Sequence, residues 1–238
     1  MSRTDRTWVL IHGVPLTDAV WEPIVPALGP QPAIAPDCTA IPVGADPQAQ
    51  LAEAIAQRVG GNIDVVGHSF GGQIAVELAL LASERVRSLT IVCSRDTPFP
   101  AFKAVAEAIR VGQPPSAQAT VDRWFTRSDR ERGEALIGLV LEEVSAASYP
   151  DWSRALDAIA VYDAASRVSS LHMPVTLIGG GLDGVATPGS MRAFRDRLID
   201  GVSITRDDWS HMSPFAHPGL LARMLVAARD RGTMTDSS

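Results

Sequence analysis

Apolar positions in this chain fall into short unbroken runs separated by amphipathic stretches. Trp8-Val9-Leu10-Ile11, the β-forming stretch Ile63 to Val66, Ser88-Leu89-Thr90-Ile91-Val92-Cys93 and Pro174-Val175-Thr176-Leu177-Ile178 read as strands buried on both faces. Ala33-Ile34-Ala35 and Val202-Ser203-Ile204-Thr205 are weaker strand signals. Between the runs the apolar period lengthens. Leu51, Ile55 and Val59 predict an amphipathic helix over Gln48 to Val59. Gln73 to Leu81 and Gly219 to Ala228 predict two more, and Trp21 to Leu28 a short one capped by Asp18. Strands alternating with helices predict an α/β protein with a mostly parallel, doubly wound sheet covered on both faces. Ligands of such sheets bind beyond the carboxyl ends of the strands, where His12, Ser69, Ser94, Asp183 and the segment after Thr205 fall.

Between Cys93 and Pro174 the strand pattern stops. Phe102-Val105-Ile109, Val121-Trp124-Phe125, Leu136-Leu139-Val140-Val144 and Trp152-Leu156-Ile159 are helix-periodic, with breaks at Pro114-Pro115 and Tyr149-Pro150. A helical insertion leaving a strand end suits a lid over the site. The expected division is a core of residues 1–96 and 166–238 with a lid of 97–165.

At 238 residues the chain is expected to form one large domain with an insertion. Hydrophobic content of 46% and charge of 20% suit an ordinary globular enzyme and exclude a disordered chain. A net charge of −6 without a basic run argues against nucleic acid as a partner. Cys38 and Cys93 sit in unrelated contexts and suggest neither a disulfide framework nor a metal site; two small buried hydrophobes are the simpler reading. Residues 1–7 lack the apolar core of a signal peptide, and no apolar run approaches a membrane span. The expectation is a cytoplasmic protein, monomer or homodimer, with no membrane partner and a polar tail that frays from Asp230 to Ser238.

The densest chemical signal is Val65-Val66-Gly67-His68-Ser69-Phe70-Gly71-Gly72. Gly-x-Ser-x-Gly between a strand and a helix marks a nucleophile elbow, whose strained turn lifts the serine clear of the sheet. A side chain at Gly67 or Gly71 would collide with neighbouring backbone there. The bland alternative, a glycine-rich turn with a capping serine, does not use the flanking strand and helix. In such a turn His68 points away from Ser69 and serves packing. A serine needs a base, and the base needs an orienting acid. His211 follows the last strand; His217-Pro218 leads into the final helix and reads as structural, and His172 precedes a strand, at the wrong end of the sheet. Asp183 follows a late strand, with Asp96 as second candidate for the acid.

His12-Gly13, the elbow at Ser69, Asp183 and His211 occur in the order Ser, acid, His, and in this the chain resembles the α/β-hydrolase superfamily over almost its whole length. The start close to the His-Gly strand implies that the two opening strands of many members are absent. Together with Trp21 it resembles the small-lid branch of plant-type esterases and hydroxynitrile lyases. His12-Gly13-Val14-Pro15 also resembles dehalogenases and epoxide hydrolases, but those carry an aspartate where this chain has Ser69. Ser210 departs from the family's usual glycine or aspartate before the base.

The resemblance implies an oxyanion hole from the backbone N–H groups of Val14 and Phe70. Leu16, Trp124, Trp152, Tyr162, Val185 and Phe215 are candidate pocket residues. The implied activity is hydrolysis of small, fairly apolar esters or lactones through an acyl-enzyme on Ser69, with neither metal nor cofactor. A hydroxynitrile lyase is an alternative, weakened because such lyases carry lysine where this chain has Met212. Cofactor-free oxygenase or perhydrolase chemistry and a non-catalytic receptor on the same fold are further alternatives.

Overall fold

The four strong apolar runs lie side by side in the middle of one sheet. The computed structural model describes residues 6–234. Its strands are β1 (Arg6–Ile11), β2 (Ala33–Ile34), β3 (Asn62–His68), β4 (Val86–Val92), β5 (Val175–Gly180) and β6 (Gly201–Arg206). Their spatial order is β2-β1-β3-β4-β5-β6, and every neighbouring pair is parallel. The central strands are almost wholly buried, whereas β6, at the edge, is intermediate or exposed at every residue. This is why β6 carries a weaker apolar signal than β3 or β5.

Helices cover both faces. In chain order they are α1 (Pro47–Arg58), α2 (Phe70–Leu81), α3 (Phe102–Arg110), α4 (Ala117–Trp124), α5 (Arg127–Arg132), α6 (Glu134–Ala146), α7 (Tyr149–Val161), α8 (Pro188–Arg197), α9 (Ser213–Ala216) and α10 (Pro218–Met234). The centre of α2 is buried on nearly every side, which accounts for its apolar character all round. Helices α3 to α7 all fall between β4 and β5; α3 packs against α7, and α4 against α6.

Several expectations needed correction. Trp21 to Leu28 is not one helix capped by Asp18. It holds parts of two short 3₁₀ turns, Asp18–Trp21 and Val25–Ala27, and the cap is Thr17, whose hydroxyl accepts from the Ala19 N–H. Pro23 and Pro26 lack the backbone donors that a longer helix would need. Helix α5 has no apolar residue and α8 offers the core only Met191 and Phe194, three apart, so neither was predicted. The last helix continues to Met234, so the start of the supposed fraying tail is helical; residues 235–238 lie outside the described residues. Of the polar N-terminal stretch, Arg6 and Thr7 already belong to β1, and residues 1–5 lie outside the described ones.

Registry puts the carboxyl ends of the central strands level. Gly67 of β3 pairs with Ile11 of β1, and His68 with Val92 of β4. His12, Ser69 and Cys93 therefore emerge together at one edge of the sheet. The order runs outward from β1 to β2 on one side and to β3 on the other, so the crevice at this edge is the switch point where open α/β sheets bind ligands.

Candidate active site

Ser69 joins β3 to α2 with φ 53° and ψ −120°, a backbone region costly for any residue with a Cβ. Close packing holds it there. A Cβ on Gly67 would lie 2.2 Å from the Gly71 carbonyl oxygen, and one on Gly71 would lie 2.4 Å from the carbonyl oxygens of Ile11 and His12. From the loop after β4, the Ser94 hydroxyl donates to the Ser69 carbonyl at 2.6 Å.

The other two groups arrive from distant loops. His211 Nε2 lies 3.1 Å from Ser69 Oγ, and its Nδ1 lies 2.9 Å from Asp183 Oδ2. The consistent proton arrangement has Nδ1–H donating to the carboxylate and the serine hydroxyl donating to Nε2. Asp183 also accepts from the N–H groups of Val185 (2.7 Å) and Ala186 (3.0 Å). Burial opposes its charge, but the His211 imidazole and these hydrogen bonds outweigh burial and hold the carboxyl below its usual range. The Cys93 thiol lies buried beside this carboxylate; burial first, then that charge, push its pKa well up, so it stays a neutral thiol.

The rival groups are engaged elsewhere. Asp96 is fully buried and bidentate to Arg197 of α8, at 2.6 and 2.7 Å. His217 stacks on Trp209 and sits 3.4 Å from Asp129. His172 is exposed before β5. His68 turns away from Ser69, and its Nε2–H donates to the His211 carbonyl at 3.2 Å. Burial, helped by the neighbouring imidazole of His211, pushes the pKa of His68 down to about 3, so it is neutral.

The loop after β1 passes against the elbow: a Cβ on Gly13 would lie 2.9 Å from that of Ser69. His12 shapes this loop. Its Nδ1–H donates to the Gly13 carbonyl at 3.0 Å and its Nε2 accepts from the Cys38 N–H at 2.9 Å. The N–H of Phe70, in the first turn of α2, has no acceptor within the helix, and the helix dipole adds partial positive charge.

Ser69 and His211 open into a narrow cavity of about 40 Å³. Most of its wall comes from the insertion: Phe102 and Val105 of α3, Thr120 and Trp124 of α4, and Trp152, Leu156 and Ile159 of α7. Val14 and Val185 complete the apolar lining, and Arg123 brings a cation. Val14 and Trp152 also line an adjoining cleft of about 460 Å³.

Of the candidate pocket residues, Trp124, Trp152 and Val185 therefore face the cavity, and three do not. Leu16 is buried in the core. Tyr162 points to the far side of α7, where its hydroxyl donates to Glu77 at 2.9 Å. Phe215 packs edge-on against Trp21 and His68. Phe102, Val105, Thr120, Arg123, Leu156 and Ile159 were missed. The helical spacing of Phe102, Val105, Leu156 and Ile159 was legible, but not which stripe met the site.

The loop carrying His211 is fastened to the insertion. Trp124 O accepts from the Met212 N–H at 2.9 Å and from the Ser210 hydroxyl. Buried Asp129 of α5 accepts from the Ser213 hydroxyl at 2.6 Å and from Thr126 in a capping box. Ser213 Oγ in turn accepts from the Ser210 N–H at 2.7 Å. Among the described residues, no group of three or more His, Cys, Asp or Glu is placed to hold a metal, and no helix is long and apolar enough to cross a membrane.

Known proteins resemble this chain in sequence and in fold. The chain is 35% identical over 96 residues to a pimeloyl-[acyl-carrier protein] methyl ester esterase of Nitrosomonas europaea, a match covering 36% of each chain. To the enzyme of that name from Klebsiella pneumoniae it is 27% identical, over 94% of this chain and 93% of that one. The enol-lactonase of Burkholderia xenovorans superposes with a TM-score of 0.84 at 19% identity, covering 94% of this chain and 90% of that one, which speaks for the fold alone. The model of the alpha/beta hydrolase family matches residues 8–224, and the chain belongs to that family.

Proposed function

We propose that this protein is a carboxylesterase-like hydrolase cleaving small, fairly apolar carboxylic esters through an acyl-enzyme on Ser69. The observation that carries this reading is the hydrogen-bonded chain from Ser69 through His211 to Asp183. The methyl ester esterases to which the chain is similar favour esters as the substrate class.

In the first half-reaction Ser69 Oγ attacks the ester carbonyl while His211 Nε2 takes its proton. Charge moves onto the carbonyl oxygen, which the N–H groups of Phe70 and Val14 receive; one such donor is typically worth about a hundredfold or more in rate. Asp183 holds the imidazole in the Nδ1–H form and stabilises the imidazolium. His211 then returns the proton to the departing alcohol as the carbon–oxygen bond breaks. In the second half a water gives its proton to His211 and attacks the acyl carbon, and Ser69 leaves as a hydroxyl. Met212, fully buried, stands where the resembling lyases hold a lysine, which favours hydrolysis over cyanohydrin cleavage.

The helices between β4 and β5 act as the lid. A cavity of about 40 Å³ holds little more than one or two waters, well short of the few hundred Å³ usual for ligand sites. Substrate entry therefore requires α4 or α7 to shift so that the cavity joins the cleft beyond Trp152. A fluorophosphonate probe and a series of p-nitrophenyl acyl esters test the reading. Wild type should be labelled and active, and Ser69→Ala neither. Labelling that survives in Ser69→Ala, or turnover of cyanohydrins with none of esters, would overturn it.

A further inference from the structure

The cavity at Ser69 is apolar apart from the reacting groups, Thr120 and one cation, Arg123. Thr120, Arg123 and Trp124 stand at i, i+3 and i+4 on α4, so one face of this helix presents all three to the site. The adjacent acid, Asp122, is taken up by Arg130 and Gln118. Among the described residues no hydrogen bond or ion pair engages the Arg123 guanidinium, although arginines elsewhere in the insertion, such as Arg110 and Arg154, are paired.

The other side of the site has the opposite sign. The cleft beyond Val14 and Trp152 is lined by Glu142, Glu143 and Asp151. Of these, Glu143 is tied to Thr17 and Asp151 to Arg154, while Glu142 is exposed. A substrate lying across Ser69 thus meets a cation at the α4 end and carboxylates at the cleft end. An anionic group is favoured at the first and repelled at the second.

Resting on the ester-hydrolase reading, we propose that Arg123 selects esters whose acyl chain ends in an anion, such as half-esters of dicarboxylic acids, with the anionic end toward α4 and the alcohol toward the cleft. A guanidinium suits this task because its planar fork can bind a carboxylate through two hydrogen bonds. Arg123 itself is exposed to water, so the contact is worth about tenfold in kcat/KM, and less at high salt.

The test uses the full-length protein and two matched series: monomethyl esters of C3 to C8 dicarboxylic acids, and methyl esters of the corresponding monocarboxylic acids. Wild type should prefer the half-ester by about tenfold at one optimal chain length, through a lower KM, and 0.5 M salt should shrink this preference. Arg123→Gln should bring the ratio close to one. Arg123→Glu should drop it below one and favour esters ending in an ammonium group. A wild type that hydrolyses both series alike, or an Arg123→Gln variant that keeps the wild-type ratio, overturns the role of Arg123 while leaving the hydrolase reading intact. Failure of wild type on both series, with no fluorophosphonate labelling of Ser69, overturns both.

Discussion

Two buried aspartates follow strands β4 and β5, and their surroundings give them different work. Asp183 is bonded to His211 and two backbone N–H groups, whereas Asp96 is spent on Arg197 and ties the loop after β4 to α8. Their amide variants should separate cleanly. Asp183→Asn should lower kcat by several orders of magnitude with a modest change in thermal midpoint, because the amide supports the wrong imidazole tautomer. Asp96→Asn should keep kcat within about tenfold of wild type but destabilise the fold by a few kcal/mol, because it strips charge from a buried bidentate pair. Steady-state kinetics and thermal unfolding on both variants check this, and the reverse pattern would move the orienting role to Asp96. The elbow glycines were legible in sequence because their constraint is local. The fate of Asp96 was not, because its partner lies 101 residues away.

Among the elements, α5 shows what apolar period misses. Its sequence, Arg127 to Arg132, is wholly polar, yet it places Asp129 in the interior against the His211 loop. A capping signal, Thr126 followed three residues later by Asp129, was available and would have located its start. Thr187-Pro188 marks α8 in the same way. Because Asp129 links α5 to the segment carrying the base, Asp129→Ala should do more than loosen the insertion. It leaves the Ser213 hydroxyl and the Thr126 N–H without their acceptor, at about 1–3 kcal/mol each. The expected result is faster amide exchange in residues 126–133 and 209–217, with a lower kcat and a smaller change in KM. Unchanged exchange at 209–217 would disprove the linkage.

For the whole molecule, the price of burying two histidines at the carboxyl ends of the strands is acid sensitivity. His68 and His12 are buried neutral: burial, joined for His68 by the His211 imidazole, pushes His68 to about 3 from the ordinary 6.5, and burial lowers His12 too. Between pH 6.5 and about 3 the unfolded chain therefore binds a proton at His68 that the folded chain refuses. Stability is full above this window and falls as pH drops through it, by roughly 4–5 kcal/mol in total. Asp183, held low in the fold, adds to the loss below its ordinary 3.8; Asp64, raised by burial, works the other way. Urea midpoints measured from pH 7.5 down to 4.5 should decline steadily below about pH 6.5. A flat profile would mean that His68 gains its proton in the folded state.

By itself the sequence determined the strands, the elbow at Ser69 and the order in which Ser69, Asp183 and His211 are met. Each is written in neighbouring residues: a strand buried on both faces is mostly apolar, and a turn closed against backbone must be glycine. Tertiary structure alone decided that Tyr162 and Phe215 turn from the cavity while Thr120 and Arg123 face it, and that α5 holds the histidine loop. A helix of the insertion has more than one side that could be buried, and only packing against its neighbours selects the side that meets the site.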